Sequence, residues 1–218
     1  GGAIVIRTRQ PTDELEAWPK AGIDNGPGWW LRGSVSGPVA ENLKFRIAGS
    51  YYDTDGFLRN TFLDEDPDPY EDLSLRGTLI WEPISNFSAD VRAYMSQLRT
   101  QALYFNIVGD PFDPTVPQDV NDTSLDIRVN NPGRNDRDLY GASLKLNWET
   151  GAGTLTSVTA YDTLDEILTG DQFDFLPIKQ SLFFRLFEII LGPGNGFDLT
   201  QSQFLEVDAW SQELRFTS

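Results

Sequence analysis

Apolar and polar residues alternate with a period of two along several stretches of the chain. The clearest stretch runs from Leu43 to Tyr52, where odd-numbered positions are apolar and even-numbered positions are mostly polar or small. Successive side chains of a β-strand point to opposite faces, so this pattern predicts a strand with one apolar and one polar face. The pattern recurs at 73–81, 87–96 and 144–148, and more weakly at 29–35, 154–162 and 210–216.

The connections between these stretches alternate in length. Short connections at 37–42, 82–86 and 149–153 alternate with long ones at 53–71, 102–137 and 164–209. Outer-membrane barrels have short turns on one side and long loops on the other, and loops of this length are rare in compact soluble domains. We therefore predict an all-β fold of about eight antiparallel transmembrane strands with long extracellular loops.

One segment has a different period. Apolar residues recur at steps of three and four between Pro177 and Leu191, which predicts a short amphipathic helix in the last long loop. Pro177 suits its first turn and Gly192 its end. We expect it to pack on its neighbours or to form a lid.

Composition removes several classes of function. The 218 residues carry a formal charge of −16 and contain neither Cys nor His. The negative charge argues against a nucleic-acid partner. The missing residues exclude disulfides, thiol catalysis, the Ser-His-Asp triad and nearly all transition-metal sites, so we expect no cofactor, no metal and no catalytic residue.

No apolar run is long enough for a transmembrane helix, and without an initiator Met or signal peptide we expect a piece of a longer protein.

Four stretches of the chain resemble the TonB-dependent receptor family. The first, at 1–12, is similar to the run that closes the family's plug domain, and the second, at 31–39, to the second strand and first periplasmic turn. The third and fourth, at 45–60 and 211–218, are similar to an early barrel strand with its loop and to a later strand. They come in the family's order and extend over almost the whole chain.

The resemblance implies a domain division and a function. Residues 1–11 would be the end of the plug, and 12–218 the N-terminal part of a plugged barrel of about 22 strands. The whole protein would be an active transporter in the outer membrane of a Gram-negative bacterium, importing a siderophore-iron, cobalamin or oligosaccharide nutrient. Its partners would be outer-membrane lipid, lipopolysaccharide, the small-molecule nutrient, and the TonB complex, which it would contact through a region upstream of this chain.

Three groups of side chains are candidates for this function. Aromatic residues near strand ends suit the membrane interface. Charged residues on the polar face would line the lumen, where the resemblance implies ion pairs with the plug. Residues at the end of the third stretch are candidates for touching ligand. The interface group is Tyr51, Trp81 and Trp148; the lumen group is Lys44, Arg46, Arg76, Asp90, Arg92 and Lys145; the ligand-loop group is Phe57, Arg59 and Asn60.

Two other kinds of protein remain open on the sequence. A soluble, secreted β-rich binding module, such as an adhesin or carbohydrate-binding domain, would bury the apolar face as a core. A glycosidase would need two converging carboxylates, for which Asp162, Asp165, Glu166 and Asp171 are candidates. We expect the chain not to be an enzyme.

Overall fold

The structure is a computed structural model that describes residues 8–101, 115, 127–171 and 177–218. Eight strands form one sheet, as the alternation predicts. They are β1 (Glu16–Asp24), β2 (Gly28–Ala40), β3 (Leu43–Thr54), β4 (Tyr70–Ile84), β5 (Phe87–Thr100), β6 (Arg134–Thr150), β7 (Gly153–Asp171) and β8 (Thr200–Thr217).

The sheet is a meander in which every strand pairs with its sequence neighbours. All seven pairings are antiparallel and the strand order is β1 to β8. Among the described residues β1 and β8 do not pair with each other, so the sheet is open. The prediction of an all-β antiparallel fold with about eight strands is confirmed.

Connections at the two ends of the sheet differ in length. At the end that we call inner, turns of two residues at 41–42, 85–86 and 151–152 join the strands. At the outer end the connections are 25–27, 55–69, 101–133 and 172–199. The first outer connection is short, so the alternation of short and long connections was wrong there. Each of the three predicted long loops contains more residues than the connection that the structure shows.

Two physical reasons explain why β1 and the outer ends of the strands were not predicted. Pro19 lies within β1 and breaks the strand signal, but a proline is tolerated because β1 is an edge strand here. The outer parts of the strands are polar on both faces and therefore carry no period-two signal. Cross-strand polar contacts hold them in the sheet, as where Arg99 Nη2 lies 2.7 Å from Asp138 Oδ1.

The predicted helix forms in two pieces. A 3₁₀ turn (Ile178–Gln180) precedes helix α1 (Leu182–Leu191), and extended Ser181 (φ −56°, ψ 139°) separates them. The helix therefore starts later than predicted, but it ends at Gly192 as expected, with φ +95°. Among the described residues, no helix has both the length and the apolar character needed to cross a membrane.

No second layer covers the sheet in the described ranges. Each strand contacts only its neighbouring strands, and the one element that α1 contacts is the 3₁₀ turn. Phe187 of α1 also packs on Phe197 in the segment after it, with ring centroids 4.1 Å apart. Among the described residues, buried apolar side chains are therefore few: Ala89, Leu98, Ile127 and Val129.

Candidate functional site

One face of the sheet, which we call the apolar face, carries an apolar band on β1–β6. On β7 and β8 the polar residues Ser157, Thr159 and Gln212 lie within this band. On four central strands the band is nine residues deep, at 43–51, 73–81, 87–95 and 140–148. The next residues outward on this face are polar or charged: Asp53, Glu71, Gln97 and Asp138. A transmembrane β-strand needs about 9–11 residues to cross the hydrocarbon core.

Large side chains of this band are exposed. Ile47 is 57% exposed, Leu75 43% and Val91 42%. Monomeric soluble proteins rarely expose contiguous apolar surface on this scale. The arrangement therefore differs from a soluble sandwich, in which a second sheet would cover the same side chains.

Aromatic side chains border the apolar band at both ends. The structure places the predicted interface residues Trp81 and Trp148 at the inner border and Tyr51 at the outer border. Sequence reasoning missed most of the two rows, because each row becomes visible only when the strands are in register. The additional members are Phe87 and Phe216 at the inner border and Trp29, Tyr140, Tyr161 and Trp210 at the outer border.

The two borders run obliquely across the strands and in the same direction. Following the register from β3 to β6, Tyr140 lies two residues further inward than Tyr51. From β4 to β6, Trp148 lies two residues further inward than Trp81. A band of constant width on tilted strands has this geometry, and barrel strands tilt by about 35–45°.

The opposite, polar face carries the charged residues of the predicted lumen group. The register puts all six on this face. Arg92 forms a two-point contact with Asp90, with Nε–Oδ1 and Nη2–Oδ2 distances of 2.9 and 2.6 Å. Arg46 Nη2 donates to Ser34 Oγ at 2.9 Å, and Lys44 pairs with Asp13. Lys145 lies opposite Asp90 on the neighbouring strand.

The segment before β1 lies across this polar face. Arg92 on β5 donates to Thr8 Oγ1 at 3.1 Å, and Thr12 N donates to Ser36 Oγ on β2 at 2.9 Å. The chain therefore crosses the polar face before it enters the edge strand. Residues 1–7 of the predicted plug end lie outside the described residues.

The polar face contains a recess of about 670 Å³. Four arginines line it: Arg9, Arg32, Arg46 and Arg76. Ser34, Ser50, Ser74 and Ser96 add hydroxyl groups, and Trp18, Tyr94 and Leu139 add apolar surface. Only Arg46 and Arg76 were predicted as lumen residues; Arg32 belongs to a weak alternation and Arg9 precedes the strands.

Tyr94 is fixed in this recess by its neighbours. Its hydroxyl donates to Asp162 Oδ1 at 2.5 Å, and the guanidinium of Arg76 lies 5.8 Å from its ring centroid. Gly141, between them on β6, makes the contact feasible, because a Cβ there would lie 2.4 Å from both Tyr94 and Asp162. Asp162 and Asp165 lie on opposite faces of β7, so these two candidate carboxylates do not converge as a glycosidase pair.

The outer loop at 55–69 is ordered by its own side chains. Asp68 accepts hydrogen bonds from the backbone N–H groups of Phe57 and Leu58 at 2.9 and 3.0 Å. Arg59 contacts Asp64 and Asp66, and hydrogen bonds to these carboxylates raise the pKa of its guanidinium. Phe57 is 70% exposed.

Asn60 has a different environment from the rest of the ligand-loop group. It is fully buried: its Nδ2 donates to Val129 O at 2.9 Å, and its Oδ1 accepts from Phe62 N at 3.0 Å and Leu63 N at 3.3 Å. Its amide is thus used inside the loop and is not accessible to a ligand in this structure. Phe57 and Arg59 remain accessible.

A second polar cluster joins the outer connections. Asn131 Nδ2 donates to Asp171 Oδ1 at 2.5 Å, and Asn130 Nδ2 donates to Asp198 Oδ2 at 2.8 Å. Burial raises the pKa of the Asp171 carboxyl. In the described part of the chain, no group of three or more acidic side chains is arranged to hold a metal ion.

Comparison with known proteins gives structural similarity at low sequence identity. No family model matches the chain. The siderophore receptor PirA from Pseudomonas aeruginosa is similar with a TM-score of 0.47 and 20% identity, over 75% of this chain and 26% of that chain. PirA from Acinetobacter baumannii is similar with a TM-score of 0.47 and 17% identity, over 96% and 28%.

A chain in the structure of the FpvAI–pyocin S2 complex is also similar, with a TM-score of 0.49 and 16% identity over 75% of this chain and 25% of that chain. This chain therefore spans about a quarter of the length of the solved chains that it matches.

Proposed function

We propose that this chain forms part of the wall of an outer-membrane β-barrel transporter, with its apolar face toward lipid. The observation that carries the proposal is the uncovered apolar band, nine residues deep and bordered by aromatic rows at both ends. A lipid-facing strand surface needs this depth, and interfacial aromatic girdles border it in outer-membrane barrels. The two-residue inner turns would then face the periplasm and the long connections the outside.

The polar face would line the lumen. Its six charged residues share one face, and the segment before β1 crosses that face through Thr8 and Thr12. A domain preceding residue 8 would therefore enter the barrel from the polar side. This supports the assignment of residues 1–11 to the end of a plug and of 12–218 to the barrel.

The transported cargo would be a small, scarce nutrient of the siderophore-iron, cobalamin or oligosaccharide class. This part of the proposal rests on the sequence resemblance to TonB-dependent receptors, which also implies coupling to the TonB complex, contact with lipopolysaccharide and location in a Gram-negative outer membrane. Phe57 and Arg59, accessible in the first long outer loop, are the side chains that we assign to ligand contact.

The decisive experiment is a pair of substitutions on adjacent residues of β4 in the complete barrel protein that carries this chain. Leu75 lies in the apolar band and Ser74 on the polar face. We expect Leu75→Arg to lower the free energy of unfolding from lipid vesicles by about 2–4 kcal/mol, and Ser74→Arg to lower it much less. A denaturant titration in vesicles measures both; equal losses would contradict the assignment of faces.

A soluble binding module predicts a different result. Its apolar face would be a protein core, so Leu75→Arg would unfold a chain that needs no lipid or detergent. No described element covers that face, which counts against this alternative.

A further inference from the structure

Residues 127–131, which we call the linking segment, contact two other outer connections. The segment belongs to the connection between β5 and β6, and it is hydrogen-bonded both to the loop at 55–69 and to the connection at 172–199. Two of the four buried apolar side chains in the described ranges lie in it, because Ile127 is 4% exposed and Val129 is 0% exposed. The linking segment is therefore a packed element outside the sheet.

The first joint connects the linking segment to the loop at 55–69. Asn60 and Ile127 form a parallel β-bridge, and Thr61 N donates to Ile127 O at 3.1 Å. The Asn60 amide adds a hydrogen bond to Val129 O at 2.9 Å. Asn60 and Val129 are fully buried, and breaking a buried hydrogen bond costs the full desolvation penalty of its groups. This joint therefore resists local opening.

The second joint connects the linking segment to the connection at 172–199. Asn131 Nδ2 donates to Asp171 Oδ1 at 2.5 Å and to Asp198 Oδ2 at 3.2 Å. Asn130 Nδ2 donates to the same Asp198 oxygen at 2.8 Å. Asp171 ends β7 and Asp198 lies two residues before β8, so the joint holds this connection close to both of its ends. Hydrogen bonds to ionised groups are roughly twice as strong as neutral ones.

The two joints are adjacent along the backbone. Val129 accepts the hydrogen bond from Asn60, and the next two residues, Asn130 and Asn131, make the second joint. Two residues of extended chain span at most about 7 Å. The segment consequently has no slack with which to leave one neighbour and remain in place on the other.

We propose that the linking segment couples the loop at 55–69 to the connection at 172–199, so that the two open and close as one unit. Cooperative units of this kind open locally while the rest of a protein stays folded. The unit includes α1, because Phe187 packs on Phe197, the residue before Asp198.

The inference rests on the proposed function in one respect, that Phe57 and Arg59 contact ligand. Both lie in the loop at 55–69, within three residues of the first joint at Asn60. A ligand held by these two side chains would then stabilise the connection that contains α1 without touching it, because coupling between two sites is reciprocal.

The test breaks the second joint and observes the first by hydrogen–deuterium exchange, in the complete barrel protein in detergent micelles. Asn130→Ala combined with Asn131→Ala removes three hydrogen bonds to carboxylates and alters no residue of the loop at 55–69. The reporters are the backbone amides of residues 60–64, which donate to Glu65 O, Ile127 O, Asn60 Oδ1 and Asn60 O.

We expect exchange at 198–200 to become about tenfold faster and exchange at 60–64 at least about threefold faster, with β3–β5 unchanged. A hydrogen bond to a charged group typically changes a local equilibrium by about tenfold or more, and part of that change reaches the first joint. In the reverse direction, Asn60→Ala should accelerate exchange at Leu199, whose amide donates to Asp198.

Asn195→Ala is the matched control. The Asn195 amide donates to Leu191 O and Gly192 O at 3.0 and 3.1 Å, within the connection at 172–199, so its loss should leave exchange at 60–64 unchanged. Asn131→Asp is a second way to break the joint. It keeps the size of the side chain and places a third carboxylate beside two others, so it should accelerate exchange at 60–64 without creating a cavity.

Three results would overturn the proposal. Faster exchange at 198–200 with unchanged exchange at 60–64, in both joint variants, would show that the two connections open independently. Equal acceleration in β3–β5 would show that they open only with the whole sheet. Unchanged exchange at both joints would show that these amides do not hold the connection. None of the measurements uses a ligand, and the proposed function is tested separately by Leu75→Arg.

Discussion

At the scale of single residues, Gly141 leaves room for the hydrogen bond between Tyr94 and Asp162 on the polar face. A Cβ at this position would lie 2.4 Å from both Tyr94 and Asp162, so any side chain must separate the pair. We expect Gly141→Ala to lower the free energy of unfolding by about 1–3 kcal/mol, the usual cost of overpacking. Denaturant titration of the complete barrel in vesicles measures the loss.

Gly77 is the matched control for this substitution. It also lies in mid-strand, on β4, but a Cβ there would meet no atom within 4 Å. Gly77→Ala should therefore be neutral or stabilise by about 0.4–1 kcal/mol, because alanine restricts the unfolded chain. A similar loss for both variants would show that strand propensity, and not the Tyr94–Asp162 contact, decides the result.

At the scale of elements, the loop at 55–69 depends on Asn60. The Asn60 amide joins this loop to the connection at 101–133 through Val129 and fixes the turn at Phe62 and Leu63. Asn60→Ala leaves three backbone groups without their partner, and one of them is the buried carbonyl of Val129. A buried group left unpaired typically costs about 1–3 kcal/mol. We expect faster amide exchange at 58–65 and 127–129, measured by hydrogen–deuterium exchange, with the exchange of β3–β5 unchanged.

The control for this prediction is an Asn→Ala substitution in an inner turn, away from the loop at 55–69. Asn42 is exposed in the two-residue turn between β2 and β3. Asn42→Ala should leave exchange of the outer loop unchanged. Unchanged exchange in both variants would mean that the buried amide does not hold the loop.

The sequence predicted elements well where one face is apolar and the other polar. The strands at 43–52 and 73–81 follow from this alternation, and α1 follows from its three- and four-residue steps, because local periodicity determines them. β1 and the outer strand extensions could not be predicted, because Pro19 interrupts the first and polar residues on both faces conceal the others.

The candidate site was predictable only in part for a related reason. Membership of a face follows from parity along one strand, which is how Arg46 and Arg76 were found. Contacts such as Tyr94 with Asp162 join residues on different strands and depend on register. The burial of Asn60 likewise depends on Val129, which is distant in sequence.

At the scale of the whole molecule, the open sheet and the uncovered apolar band determine behaviour in water. Two unpaired edges, at β1 and β8, add hydrogen-bonding groups that other chains can pair with. We expect the 218-residue chain alone to aggregate in detergent-free buffer and to gain β-structure in detergent micelles, as measured by circular dichroism and light scattering. A monomer that folds cooperatively in plain buffer would contradict the barrel proposal.

In the proposed barrel, the length of the β7–β8 hairpin would set the distance from the bilayer at which outside molecules first contact the protein. Both strands continue for ten residues outward of the aromatic pair Tyr161 and Trp210, to Asp171 and Thr200. Ten residues extend about 33 Å along a strand, or roughly 25 Å in height at barrel tilt. In the proposed barrel, the connection that contains α1 would therefore stand well outside the membrane, where a large molecule would touch it before any solute reached the barrel wall.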